Sequence, residues 1–136
     1  MIHRSLFFAV VLSLVSAVTV FAAPNYQEGL WEMTTTMDMP GLQKEMKQPY
    51  KSQVCLTKQN PVPQPKDKQC KMTDQKIKGN TIFYTVTCKN GTVSKGEMTY
   101  SNTSFSGSST TTSSRGGKQM TVKFTQSGKY IGPCPK

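Results

Sequence analysis

The sequence predicts an all-β fold: an antiparallel meander of about seven strands that forms a small barrel or a barrel-like curled sheet, stapled by disulfides. Three observations predict it. Apolar and polar residues alternate with period two through most of the chain after Glu28, which is the pattern of half-buried strands. Turn signals at Gly79-Asn80, Asn90-Gly91, Asn102-Thr103 and Gly116-Gly117 punctuate that alternation. Four cysteines, Cys55, Cys70, Cys88 and Cys134, make an even set in a small chain.

The first segment is not part of the fold. Met1 to Arg4 carries His3 and one Arg, Leu6 to Phe21 is apolar apart from Ser13, Ser16 and Thr19, and Val20-Phe21-Ala22 fits a small-residue cleavage site. This is the layout of a secretory signal peptide over residues 1–22, with an apolar run short for a spanning helix. Residues 23–136 then form a single β-barrel-like domain, periplasmic or secreted, with no stable membrane insertion after cleavage. An oxidising compartment turns the four cysteines into two disulfides.

Glu28 to Asp38 places Trp31, Met33, Thr35 and Met37 on one face of a first strand. Met39-Pro40-Gly41 ends it, Leu42 to Gln48 is a polar connection, and Tyr50, Ser52, Val54 and Leu56 mark a second strand. Prolines 61, 63 and 65 make Asn60 to Lys68 a stiff, exposed connector, because proline donates no hydrogen bond to a sheet. The Gly79-Asn80 turn pairs Ile77 with Ile82 and Gln75 with Tyr84. A bulge at Thr73-Asp74 is then required to set Met72 opposite Val86 and Cys70 opposite Cys88. A three-residue loop with a left-handed Gly91 pairs Val86 with Ser94, Tyr84 with Gly96 and Ile82 with Met98. The tighter alternative would turn Lys95 and Glu97 onto the apolar face, where an unpaired charge costs several kcal/mol. The last two turns pair Tyr100 with Phe105, Met98 with Gly107, Ser113 with Met120, Thr111 with Val122 and Ser109 with Phe124.

Past Phe105 the apolar face of its strand offers only Gly107, Ser109, Thr111 and Ser113. Either large neighbours (Tyr84, Met98, Phe124, Trp31) lie across it or a cavity opens there. Trp31, Tyr84, Phe124, Ser109 and Thr111 are therefore the candidate ligand-binding residues.

Several chemistries lack their residues. The one histidine is His3, so the mature domain has no imidazole for a nucleophilic triad or a metal site. The cysteines are taken by disulfides, and the 7 carboxylates show no pairing suited to acid–base work. Phosphate-loop, dinucleotide and zinc spacings are absent. The expectation is a non-enzyme without a cofactor. Met37, Met39 and Met46 could offer thioethers to Cu(I), but Met33, Met72, Met98 and Met120 sit on the apolar face, where core filling explains methionine better. The net charge of +10 is spread over separate lysines, which predicts attraction to an anionic envelope component rather than a nucleic-acid partner.

Gly29-Leu30-Trp31-Glu32, Met39-Pro40-Gly41, Cys55-Leu56-Thr57, Cys70-Lys71-Met72-Thr73-Asp74, Tyr100-Ser101 with Phe105-Ser106-Gly107, and the closing Gly132-Pro133-Cys134 occur in an order that resembles the small exported bacterial proteins of the domain of unknown function 3617 family. The resemblance covers essentially all of the mature chain. It implies an exported, β-rich domain and brings no catalytic residues. For the disulfides, Cys70–Cys88 with Cys55–Cys134 is the first choice on register, and Cys55–Cys70 with Cys88–Cys134 stays open. The leading expectation for function is a non-enzymatic domain binding a small apolar ligand or an envelope component. The alternatives are a structural or interaction protein using its basic surface, and Cu(I) binding.

Overall fold

The computed structural model describes residues 23–41, 43 and 47–136. The segment 1–22, expected to be a signal peptide, and most of the connection at 42–48, Met46 included, lie outside the described residues. Seven strands follow: β1 (Gly29–Asp38), β2 (Tyr50–Leu56), β3 (Cys70–Lys78), β4 (Thr81–Cys88), β5 (Val93–Ser101), β6 (Ser104–Arg115) and β7 (Lys118–Gly132). They form one antiparallel sheet in the order β2-β1-β7-β6-β5-β4-β3. No helix among the described residues is long and apolar enough to cross a membrane.

Of the two forms expected, a small barrel or a barrel-like curled sheet, the closed barrel is not formed. Every pair of strands adjacent in the chain is hydrogen-bonded except β2 and β3, and β1 adds a second ladder with β7. The missing ladder falls where the proline-containing segment intervenes, which cannot carry a strand register from β2 into β3. The facing edge of β3 is further marked by Lys71, Lys76, Lys78 and a bulge, devices that keep an edge unpaired.

The hairpin registers follow the turn chemistry. Met72↔Val86 and Asp74↔Thr85 leave Thr73 as the bulged residue, and Cys70 then meets Cys88. Gly91 has φ 83, the left-handed conformation that the β4–β5 loop requires. Asn102 also takes a positive φ, of 53, in the β5–β6 turn. Its N–H donates to Asn25 O and its carbonyl accepts from Gln27 N, so this turn ties the N-terminal segment to the sheet.

The core occupies one end of one sheet face. Trp31, Leu56, Ile82, Met98, Tyr100 and Phe105 are buried together with Val62, and Tyr26, Met33, Val54, Met72, Tyr84 and Tyr130 pack against them. The centroid of the Trp31 ring lies 5.6 Å from that of Phe105, 6.1 Å from Tyr100 and 6.0 Å from Tyr130, the last two edge-on. The expectation of an exposed connector fails at Pro61 and Val62, which are buried, Val62 to 1% exposure. A proline lacks the donor but keeps its carbonyl, and Pro61 O accepts from the Tyr100 hydroxyl. Met120, expected as core filler, is 42% exposed because it lies near the tip of the β6–β7 hairpin.

Cys70–Cys88 and Cys55–Cys134 are the two disulfides. The first joins edge strand β3 to β4. The second joins edge strand β2, across β1, to the segment that follows β7. Each strand at an open edge of the sheet is thus held covalently as well as by one ladder.

Burial also sets the alkaline limit of the fold. Burial, with a smaller contribution from the Glu28 charge, pushes the Tyr26 phenol up to about 12 from 10.0. Burial likewise raises Tyr84 and Tyr100. Between the unfolded and folded values the folded chain binds more protons than the unfolded one, so stability is whole below about pH 10 and falls as pH rises above it. In a spectroscopic phenolate titration, these tyrosines are expected to ionise in one step with cooperative unfolding. Independent ionisation of all 5 tyrosines with the fold intact would contradict this.

Candidate functional site

Antiparallel pairing arranges the core face in rows that run across the sheet. Tyr84, Gly96, Ser109, Phe124 and Met37 make one row, from β4 to β1. Ile82, Met98, Gly107, Gln126 and Thr35 make the next row towards the aromatic core, and Val86, Ser94, Thr111 and Val122 the next row away from it.

The bulk missing from β6 is supplied by its neighbours as far as Ser109. The Tyr84 ring lies over Gly96, where an added Cβ would come within 2.6 Å of the Tyr84 hydroxyl and 2.8 Å of Ser109 Cβ. Met98 covers Gly107, and the Phe105 ring covers Gly128 closely enough to exclude any side chain there. This is large-against-small interdigitation of facing residues. Beyond Ser109 the covering stops. Thr111, Ser113, Phe124, Val122, Val86 and Met37 are only half-buried. The open half of the face runs out to a cleft of ≈ 350 Å³ bounded by Met39, Thr92, Ser113, Met120 and Val122.

Four of the five ligand-site residues read from the sequence therefore fall on two adjacent rows. Tyr84 is half-buried, and burial raises its phenol while the Ser109 hydroxyl against it offsets part of that rise. Ser109 is buried. Thr111 shares a 2.7 Å hydrogen bond with Ser94, and Phe124 faces Met37. Trp31 stands apart from them. It is wholly buried in the aromatic core, and its Nε1 donates to Gln27 O at 3.0 Å. Of the methionines weighed for Cu(I), Met37 lies beside Phe124, Met39 borders the cleft, and Met46 is outside the described residues.

Two residues of this face were not singled out by sequence reasoning. Thr35 is 1% exposed, and its Oγ1 has no hydrogen-bond partner; Gln126 Oε1 is buried in the same condition. The two residues are direct cross-strand partners. A usable signal was present, since alternation alone puts both polar side chains on the apolar face. Buried polar atoms are rarely left unpaired, because each costs about 1–3 kcal/mol.

No His, Cys, Asp or Glu cluster able to hold a metal occurs among the described residues. A family model described as protein of unknown function (DUF3617) matches residues 26–134. The chain belongs to that family. The DUF3617 match runs from Tyr26 to Cys134 and so takes in all seven strands and both disulfides. Comparisons with curated proteins and with solved structures find no match. The DUF3617 description assigns no activity, so a function for this face rests on its geometry. The two disulfides point to an oxidising environment.

Proposed function

We propose that the protein is a non-enzymatic, exported domain that holds a small apolar molecule with one polar end on the open half of its core face. The reading treats the sheet as curled, because Leu56 of β2 and Ile82 of β4, far apart in strand order, share one core. It places the domain in the periplasm, on the strength of the leader pattern at 1–22 and the disulfides. A role without catalysis fits a mature domain that has no histidine and no unbonded cysteine.

The observation that carries the reading is the pair of orphaned polar atoms, Thr35 Oγ1 and Gln126 Oε1, on the row next to the half-buried Met37 and Phe124. Gln126 Oε1 only accepts, so the ligand's polar end is a hydrogen-bond donor such as a hydroxyl. The tail would lie along Phe124, Met37 and Val122, consistent with the few directed polar groups and apolar lining of small-molecule sites.

Thr35→Val and Gln126→Leu test this, because they remove unpaired polar atoms with little change of shape. Each is expected to raise the stability of the ligand-free protein by about 1 kcal/mol in guanidinium denaturation. Each should also weaken binding of 1-decanol, measured by displacement of a fluorescent apolar probe, by about tenfold. Unchanged decanol binding in both variants, or no displacement by decanol from the parent protein, would overturn the reading.

A further inference from the structure

The β3–β4 hairpin carries a second feature, independent of the ligand site. Ile77 and Phe83 are 41% and 39% exposed. They stand on opposite faces of the same hairpin, since Ile77 pairs with Ile82 on the core face and Phe83 pairs with Lys76 on the outer face. Ile77 is uncovered because β3 has no neighbour on its far side. A hairpin lying on a protein surface needs only one apolar face. One with large apolar groups on both faces suits a medium that can surround it.

The charges say which medium. Lys76 and Lys78 flank Ile77, and the two lysines, Ile77 and Phe83 border one space of ≈ 540 Å³. Lys95 lies one strand further in, opposite Thr85. The carboxylates nearby on the outer face are Asp74 on β3 and Glu97, which pairs with Phe83. Among the described residues the ion pairs are Lys47–Asp38 and Lys51–Glu32, so neither carboxylate neutralises these lysines. A second copy pairing along β3 is disfavoured, because it would bring Lys71, Lys76 and Lys78 against like charges and meet the bulge at Thr73.

We infer that the β3–β4 hairpin docks this protein on an anionic lipid bilayer, with Phe83 and Ile77 entering the interface and Lys76 and Lys78 meeting headgroup phosphates. Apolar side chains bracketed by lysines are the usual means of binding such a surface without spanning it.

The test is sedimentation of the disulfide-bonded protein with vesicles of phosphatidylglycerol and phosphatidylethanolamine, against phosphatidylcholine alone. Binding is expected to the anionic vesicles only, and to weaken as salt is added. The K76Q/K78Q variant should bind about 30-fold more weakly, as two lysines at an anionic surface imply. The I77S/F83S variant should bind at least about tenfold more weakly. All four positions are exposed, and unchanged melting temperatures will show that the fold is intact. The control K123Q/K129Q, on the outer face of β7, should stay within about twofold of the parent. Absence of binding to anionic vesicles at low salt would overturn the inference. So would equal binding by parent and hairpin variants, or an equal loss in the β7 control.

Discussion

Replacing Cys55 and Cys134 together by serine is expected to lower stability by about 4.5 kcal/mol, the chain-entropy value for a sequence separation of 79. Removing Cys70 and Cys88 together should cost less, about 3 kcal/mol, for a separation of 18. Domains of this size have about 5–15 kcal/mol in all, so loss of the long-range bridge leaves the fold close to its threshold. Position adds to the entropy. Cys55 belongs to β2, whose only ladder is with β1, and without the bridge that edge strand is free to fray. Guanidinium denaturation of the two double variants would check the ranking. A larger loss from the Cys70/Cys88 variant would show that loop length does not set the cost.

The second large effect is at Trp31. Trp31→Ala should cost about 3–5 kcal/mol, because the wholly buried indole fills the space between Tyr100, Phe105 and Tyr130. The melting temperature, followed by far-ultraviolet circular dichroism, should fall by about 15 °C. Trp31→Phe should lose distinctly less, since part of the volume is kept and only the bond to Gln27 O is removed. If the two variants melted together, the hydrogen bond rather than the packing would be the larger contribution.

The hairpin half of the fold was legible because turn chemistry and charge placement act locally. Gly91 and the need to keep Lys95 and Glu97 outward were enough to set the β4–β5 register, and the wrong-face positions of Cys70 and Met72 were enough to locate the bulge. The unpaired β2–β3 seam was not legible. Whether two strands fail to meet depends on what fills the space between them, and Val62 has neighbours only in three dimensions. Pro61 misled for a related reason, since its missing donor argued for exposure while its carbonyl found the Tyr100 hydroxyl. For the site, the poverty of bulk on β6 pointed to two adjacent rows of the core face. It did not distinguish a filled stretch from an open one, because the Tyr84 ring that covers Gly96 comes from a different strand. Thr35 and Gln126 were visible as polar residues on an apolar face, but that they lack partners is a property of the packed protein alone.

The place of β1 in the sheet has a consequence for the order in which the chain assembles. From β3 to β7 every ladder joins sequence neighbours across a short turn, so this block can zip as its residues become available. β1 pairs with β7 over almost the full length of the domain, Leu30 meeting Gly132. An isolated β1–β2 hairpin is marginal in water, so the first strand to emerge must wait for the last one to be made. During that interval the alternating stretch around Trp31 has no lasting partner. A chain delivered N-terminus first would therefore depend on prompt arrival of Lys118 to Gly132, or on a chaperone, to keep β1 from pairing with another molecule.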